Sequence, residues 1–576
     1  MPRISDPCAL VSVDRRGPHE AVIVPCLLGV WLLVGWLFAM GCVHPKTPDA
    51  RSTDDTHPPV AVLMARLDVG QQVLDVALTL PPGLVDNDTR VLVDFVNEPF
   101  AKRPGGYRAF VTLASQHDAG VVLTRKAPTT LRYQVDLHHH EAGPEFGVDN
   151  VPHPTNGGWH VVGSAFIPRI RVVDSQSDEP GEDLVVSVDV QMDVPTGWRD
   201  IRSTQGRMTL QTARPTVYYV GDFHTHQVQV GNVTLVLVSS SLTEAAAEEL
   251  LTLVAQAIAQ LETHLGPLPA TRKLLIYDRA EQGFDGGVIG DAVTILSSST
   301  SRFTPAAPDA GLMIHELTHM WLRGEPWWWG EGFTTYVEHI VRYELTGLSE
   351  VEIAQSMADL YTWNYRPKRG EGPVHSADIS WAYPAGAIVA YCLDTDLAAA
   401  GSSLGAVLKD ARTRAGNETP GTDDLFAAVE RVSNPVSKRL HALLNQTEPI
   451  EMVSCIERAG FQVELETISA YTPAAMALKI LRVPSYSPQR AEVFAIRDGS
   501  PFQPGDIIES IQGESIERVV EIDRALARTR PGERVVAQVL RDGERLLVEF
   551  PLPGVSAEDR VEQTLMQVRK PSEDRH

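Results

Sequence analysis

The segment His315-Glu316-Leu317-Thr318-His319 limits what this chain can fold into more than any other, and it sits in an apolar run that starts at Gly311-Leu312-Met313-Ile314. The run reads as helix, and on a helix two residues four apart stand one above the other on one face. Both imidazoles can then reach one Zn²⁺, while Glu316, one position round, can address a metal-bound water. A tetrahedral catalytic zinc wants one more protein ligand and one open position. The chain must therefore fold back and bring a third donor to this helix. In a sequence with 18 histidines the five-residue pattern carries weight only if that donor exists.

Twelve residues after His319 lies Glu331, in Trp327-Trp328-Trp329-Gly330-Glu331-Gly332-Phe333-Thr334-Thr335-Tyr336-Val337-Glu338. A short connection followed by an antiparallel helix would return Glu331 to the histidine face. Glu338, two turns further along, falls on nearly the same side and competes for the role. The three tryptophans read as packing for the connecting loop rather than as a substrate platform.

The rest of the 576-residue chain divides by pattern, and the full length suggests about four domains. Residues 1–42 contain an apolar stretch from Ala21 to Met40 behind Arg3, Arg15 and Arg16, which reads as a signal peptide or a membrane anchor. Ala39-Met40-Gly41-Cys42 resembles a bacterial lipoprotein box, so Cys42 is a candidate for lipidation. Either anchor places the chain on the periplasmic side of a bacterial cell envelope. Residues 43–59, with Pro45, Pro48, Pro58 and Pro59, read as a linker. Residues 60–225 show short alternating runs broken by Gly, Pro, Asn and Asp, the pattern of an N-terminal all-β, sandwich-like domain. His138-His139-His140 falls in it, but consecutive strand residues point to opposite faces and chelate poorly.

Residues 226–455 read as an α+β domain whose second half is mostly helical. A capping box at Ser241-Leu242-Thr243-Glu244 opens a helix with Leu250, Val254, Ile258, Leu261 and Leu265 on one face, closed by Gly266-Pro267. Two buried-strand patterns follow at Lys273–Tyr277 and Ala292–Leu296, and Asp309 is a candidate cap for the histidine helix. Residues 456–552 resemble a PDZ domain in their order of strand, Pro504-Gly505-Asp506 loop, short helix near Val520 to Thr529 and hairpin through Asp542-Gly543. Residues 553–576 read as a charged tail without fixed structure. The net charge of −24 opposes nucleic acid as a partner. With no C-x-x-C pair among five cysteines, a cysteine zinc site is not supported. Cys392 and Cys455 are expected as buried thiols, a disulfide being the alternative in an oxidising compartment.

His315-Glu316-Leu317-Thr318-His319 together with Glu331-Gly332-Phe333-Thr334-Thr335-Tyr336 resembles the gluzincin metallopeptidases of the aminopeptidase N superfamily. Within it the chain is most similar to the glycyl aminopeptidase family, which joins a β domain, a thermolysin-like catalytic domain and a C-terminal PDZ domain. Tyr383-Pro384-Ala385-Gly386-Ala387-Ile388-Val389-Ala390 resembles that family's Y-x-K-G-A-L-V-A, with Ala385 in place of the lysine. The resemblance spans residues 60 to 550. It implies a hydrolase that cuts peptide bonds with one zinc ion, ligands His315, His319 and Glu331, Glu316 as general base and Tyr383 as hydrogen-bond donor to the transition state. It implies peptide or protein substrates and a peptide ligand for the PDZ-like domain. The connection from His319 to Glu331 is shorter than the family's. In the glycine-rich stretch Phe284-Asp285-Gly286-Gly287-Val288-Ile289-Gly290-Asp291, Ile289 falls where the family has an acid for the substrate's α-amine; Asp285 and Asp291 are the nearby acids, and aminopeptidase against endopeptidase action stays open. That difference, with no clear G-L-G-F loop in the PDZ-like region, motivates a second reading as a retired peptidase scaffold acting as an adaptor.

Overall fold

The computed structural model describes residues 60–85, 89–94, 111–113, 121–123, 126–137, 152–173, 180–269, 271–279, 284–297, 303, 308–323, 326–364, 379–416, 419–471, 491–493, 501–503, 506–530, 532–541, 543–552 and 560–571. The apolar segment at 21–40, Cys42, the linker and His138–His140 lie outside them. No helix among the described residues is long and apolar enough to cross a membrane.

The first domain is built from strands whose alternation sends every second residue inward. In Val60–Asp68 the inward set is Ala61, Leu63, Ala65 and Leu67, all buried. This strand lies inside a six-stranded sheet, parallel to Ser187–Asp193 and antiparallel to Val73–Leu80. Two four-stranded sheets complete the domain, and all three contribute to one core. Two single-turn helices, Gly163–Phe166 and Leu210–Ala213, interrupt the strands, so the all-β reading holds for the sheets but not for these corners.

Strand Val217–Gly221 ties this domain to the next. It is buried along its whole length, and its alternate residues serve two cores. Tyr218 and Val220 face the first domain, whereas Val217 and Tyr219 join Val236, Val238, Leu274 and Ile276 of the second. The Tyr219 hydroxyl donates to the buried Asp278 carboxylate, which also accepts from the Ser240 amide and hydroxyl. A buried carboxylate is tolerable only with such donors.

The second domain is a five-stranded mixed sheet in the order His224–Val230, Val233–Ser239, Thr271–Arg279, Ala292–Ser297, Phe284–Ile289. The central pairs are parallel and both edge strands antiparallel. Helix Glu244–Leu265 makes the crossover between the first parallel pair. Leu250, Val254, Ile258, Leu261 and Leu265 are all buried, as the spacing predicts, each contributing about 1.5–3 kcal/mol of burial. The N-cap is Thr243, whose hydroxyl accepts from the Ala246 amide, while Ser239 satisfies the amides of Ser241 and Leu242. Gly266, with φ of 81°, ends the helix in a conformation that favours glycine.

The helices Pro308–Thr318, Thr334–Thr346, Glu350–Asn364 and Ile379–Ala399 pack in one core with the sheet. Pro308 begins its helix, so Asp309 lies within the first turn and is not its cap. Cys392 and Cys455 form a disulfide between helices Ile379–Ala399 and Met452–Arg458, with Cα atoms 5.2 Å apart. The expectation of free thiols is thereby corrected: both side chains are buried, but they face each other.

The C-terminal domain carries helix Val519–Ala527 and the hairpin Arg534–Arg541 with Glu544–Pro551, turning at Gly543 with φ of 85°. The reading of 553–576 as an unstructured charged tail is corrected over Arg560–Arg569. Arg560–Arg569 is a strand, antiparallel to Gln462–Tyr471 in register from Gln462 opposite Arg569 to Tyr471 opposite Arg560. Gln563, Leu565, Met566 and Val568 are buried, while Glu562, Thr564 and Arg569 are exposed.

Candidate metal centre

Helix Pro308–Thr318 presents His315, and His319 follows in its last turn, where its amide still bonds the His315 carbonyl at 3.3 Å. The two rings lie 4.9 Å apart, nearly perpendicular. After His319 the chain turns back through a π-helical segment, Trp328–Phe333, that runs straight into helix Thr334–Thr346. π-Helical turns are rare and favour functional sites because the extra residue re-aims a side chain. Here the re-aimed residue is Glu331. Its Oε2 stands 3.2 Å from His315 Nε2 and 3.3 Å from His319 Nε2.

One donor atom from each of His315, His319 and Glu331 lies within 4.8 Å of the others. Two imidazole nitrogens and a carboxylate oxygen are the donor types a catalytic zinc takes. The orientation of His319 fits as well: its Nδ1–H donates to the Leu322 carbonyl at 2.9 Å, which leaves Nε2 facing the place where the three donors meet. Burial disfavours the imidazolium of His315, yet the carboxylates of Glu331, Glu338 and Glu316 outweigh it and raise its pKa to about 10. Burial also works against the charge of Glu331, but hydrogen bonds from His315 and His319, with their charges, hold its pKa well below the usual carboxylate range. A cation is what such a set of facing donors accommodates. The competing donor Glu338 faces the other nitrogen of His315, at 3.8 Å from Nδ1, and so stands apart from the three converging donors.

Glu316 is 6% exposed. Against it runs the edge strand Phe284–Ile289, and a Cβ on Gly286 would stand 2.8 Å from Glu316 Cγ and Oε1. Glycine is required at this position for the strand to approach the carboxylate. Ile289 packs against the cluster of Val217, Tyr219 and Phe223, and Asp291 pairs with Lys273 at 2.6 Å. Neither places a carboxylate beside Glu316.

Tyr383 arrives from helix Ile379–Ala399, its ring 5.6 Å from that of His315 and close to parallel with it. Two glycines bring it there. A Cβ on Gly332 would lie 2.3 Å from Gly386 Cα, and one on Gly386 would lie 2.1 Å from the Trp328 carbonyl oxygen. The tyrosine helix and the π-helical turn thus cross backbone against backbone. Trp328 and Trp329 are buried, Trp329 donating to the Pro420 carbonyl, as packing for the loop requires; Trp327 is 40% exposed. All five residues singled out in the sequence, His315, Glu316, His319, Glu331 and Tyr383, meet at one place. The roles of Gly286 and Gly386 were not read from the sequence, although both stand inside the stretches that carried the resemblance.

Residues 460–552 match the PDZ domain family. No curated protein matches the sequence. Among solved structures the chain is similar to an aminopeptidase N family protein from Idiomarina loihiensis, with a TM-score of 0.57 and 15% identity over 88% of this chain and 98% of that one. It is also similar, at a TM-score of 0.44 and 17% identity over 69% of this chain and 95% of that one, to an M1 zinc metallopeptidase from Deinococcus radiodurans. The fold of this chain is that of the aminopeptidase N family, with a PDZ domain at its C-terminal end.

Proposed function

We propose that this chain is a zinc-dependent peptidase with one metal ion held by His315, His319 and Glu331. The observation that carries the reading is the convergence of those three donors within 4.8 Å, beside a buried Glu316 and beneath the Tyr383 ring. When bound, zinc supplies the Lewis acidity that makes water a nucleophile near neutral pH. Glu316 accepts the proton of the attacking water and passes it to the leaving amine. The Tyr383 hydroxyl donates to the oxygen of the scissile carbonyl as negative charge develops there. Gly286 keeps the edge strand clear of side-chain bulk, so an extended peptide can add along Phe284–Ile289 by backbone pairing.

Retention of Glu316 and of all three ligands disfavours the adaptor reading, since a retired site is free to lose them. The test is zinc content together with peptide hydrolysis by the full chain and by Glu316→Gln. Turnover that a chelator abolishes and zinc restores, with loss in the variant, supports the proposal. Absence of bound metal at neutral pH overturns it. Digestion of a peptide library read by mass spectrometry then separates cleavage at the N-terminus from internal cleavage.

The apolar segment at 21–40 and Cys42 support envelope anchoring on the periplasmic side. A disulfide between Cys392 and Cys455 accords with an oxidising compartment. Fractionation of wild type and Cys42→Ala tests this: lipid-dependent membrane recovery supports a lipid anchor, recovery of both variants a helical one, and a soluble full chain contradicts both. A peptide ligand for the PDZ domain belongs to the same proposal and is tested by titration with peptides bearing free C-termini.

A further inference from the structure

Glu338 stands one layer behind the ligands and takes no part in the steps above. It projects from helix Thr334–Thr346, is 2% exposed, and turns Oε2 towards His315 Nδ1, the nitrogen opposite the one that faces Glu331. Its other oxygen, Oε1, has no hydrogen-bond partner among the described residues. A carboxylate buried to this degree needs a reason, because removing its charge from water is costly unless a cation or donor compensates.

The surroundings are built around it. Gly311 sits one helical turn before His315 on the same face, and a Cβ there would stand 2.9 Å from both Glu338 Oε1 and Arg342 Nη1. Arg342, four residues after Glu338 and also 2% exposed, therefore shares the space above Gly311 with the carboxylate. Replacing this glycine by any larger residue would push carboxylate and guanidinium away from the histidine helix. His339, next in sequence, is buried too and meets Ser356 at 3.2 Å through Nδ1, which fixes the rotation of the helix that carries Glu338.

An imidazole that ligates through Nε2 carries its proton on Nδ1, and an acceptor placed there sets the tautomer, fixes the ring plane and raises the basicity of the ligating nitrogen. His319 has the Leu322 carbonyl for this purpose. We infer that Glu338 is the positioning residue of the metal centre: it receives the Nδ1–H of His315, and Gly311 and Arg342 form its seat. This rests on the zinc-centre reading above. The 3.8 Å separation is an ion-pair contact, and the inference predicts that it closes to a hydrogen bond in the zinc-loaded protein.

The experiment is zinc affinity of the full chain, measured by competition with a chromophoric chelator, for wild type, Glu338→Gln, Glu338→Ala and Gly311→Ala. Affinity is expected to fall about 10-fold in Glu338→Gln and about 100-fold in Glu338→Ala, with Gly311→Ala weakened in the same direction. The visible absorption of the Co²⁺-substituted protein is expected to shift in Glu338→Gln while its thermal melting stays that of wild type. A purely structural role would move the melting and leave the spectrum alone. Zinc affinities within twofold of wild type and an unchanged Co²⁺ spectrum overturn the inference while leaving the zinc centre intact. A wild type that binds no zinc overturns the centre itself. Should the alanine variants not fold, a crystal structure of the zinc-loaded wild type decides: Nδ1 to Oε2 below about 3.2 Å supports the role, and another acceptor on Nδ1 rejects it.

Discussion

In the proposed reaction Glu316 and Tyr383 divide the work at the metal site between proton transfer and charge stabilisation, and each role predicts a different loss. Glu316→Gln keeps the side chain's shape against Gly286 but cannot accept a proton. Hydrolysis should fall by at least about 10²–10⁴-fold with zinc retained at wild-type content. Tyr383→Phe keeps the ring beside His315 and removes only the donor, so kcat should drop about 10²–10³-fold with KM little changed. A proportional rise in KM alone would assign Tyr383 to ground-state binding instead. The His315 pKa of about 10 gives a pH test. With its pKa raised, His315 holds a proton at neutral pH that zinc must displace, so apparent zinc affinity should rise with pH between roughly 6 and 9. Calorimetry of zinc binding at pH 7.5 in buffers of different ionisation enthalpy should report about one proton released per ion. No release would mean that His315 is neutral before zinc arrives. His315 and His319 were legible from helical periodicity and Glu316 and Glu331 from their spacing around them, whereas Tyr383 was legible only through the resemblance carried by Tyr383-Pro384-Ala385-Gly386. The choice of Glu331 over Glu338 was not settled by periodicity, since a π-helical turn shifts the register between them.

At the level of elements, the site depends on close backbone approaches that a one-dimensional pattern cannot reveal. Gly332 and Gly386 look like ordinary helix residues until the two segments cross. Gly332→Ala should separate the tyrosine helix from the π-helical turn, lowering stability by about 1–3 kcal/mol, as overpacking in a close-packed interior does. Denaturant unfolding checks the stability, and the Tyr383 contribution to kcat should shrink in parallel. The disulfide holds the same helix further along its length by joining it to Met452–Arg458. Cys455→Ala is expected to cost about 2–4 kcal/mol, read from the shift in unfolding midpoint without reductant. Equal midpoints would show that packing alone keeps the two helices together. Strands and helices of the first two domains were legible because their apolar residues repeat at 2 and 3.6. The strand at Arg560–Arg569 was hidden by the charges that flank it, Glu558-Asp559-Arg560 before and Arg569-Lys570 after, which made a short apolar run look like part of a solvated tail.

Across the whole molecule, that last strand ties the PDZ region to the catalytic region. Gln355 of helix Glu350–Asn364 donates to the Met566 carbonyl and accepts from the Val568 amide, and Gln563 donates to the Thr362 carbonyl. Arg518, just before helix Val519–Ala527, grips both oxygens of Asp359 at 2.9 and 3.1 Å and reaches Gln567. Arg518→Ala leaves a largely buried carboxylate without its cation and should lower stability by about 1–3 kcal/mol. Ending the chain at residue 555 should make the PDZ core melt separately in scanning calorimetry, since Gln462–Tyr471 then becomes an unpaired edge. One unchanged transition would mean the ribbon does not couple the two regions. Domain order was legible from the changes in pattern, whereas this return of the chain was not, because it rests on contacts between residues some 200 positions apart. Zinc content measured together with peptide cleavage, for wild type and Glu316→Gln, tests the metal centre without intermediaries. One zinc per chain is expected in both proteins, with chelator-reversible cleavage in wild type only. Wild-type protein without zinc at neutral pH, or equal cleavage by the two, would contradict it.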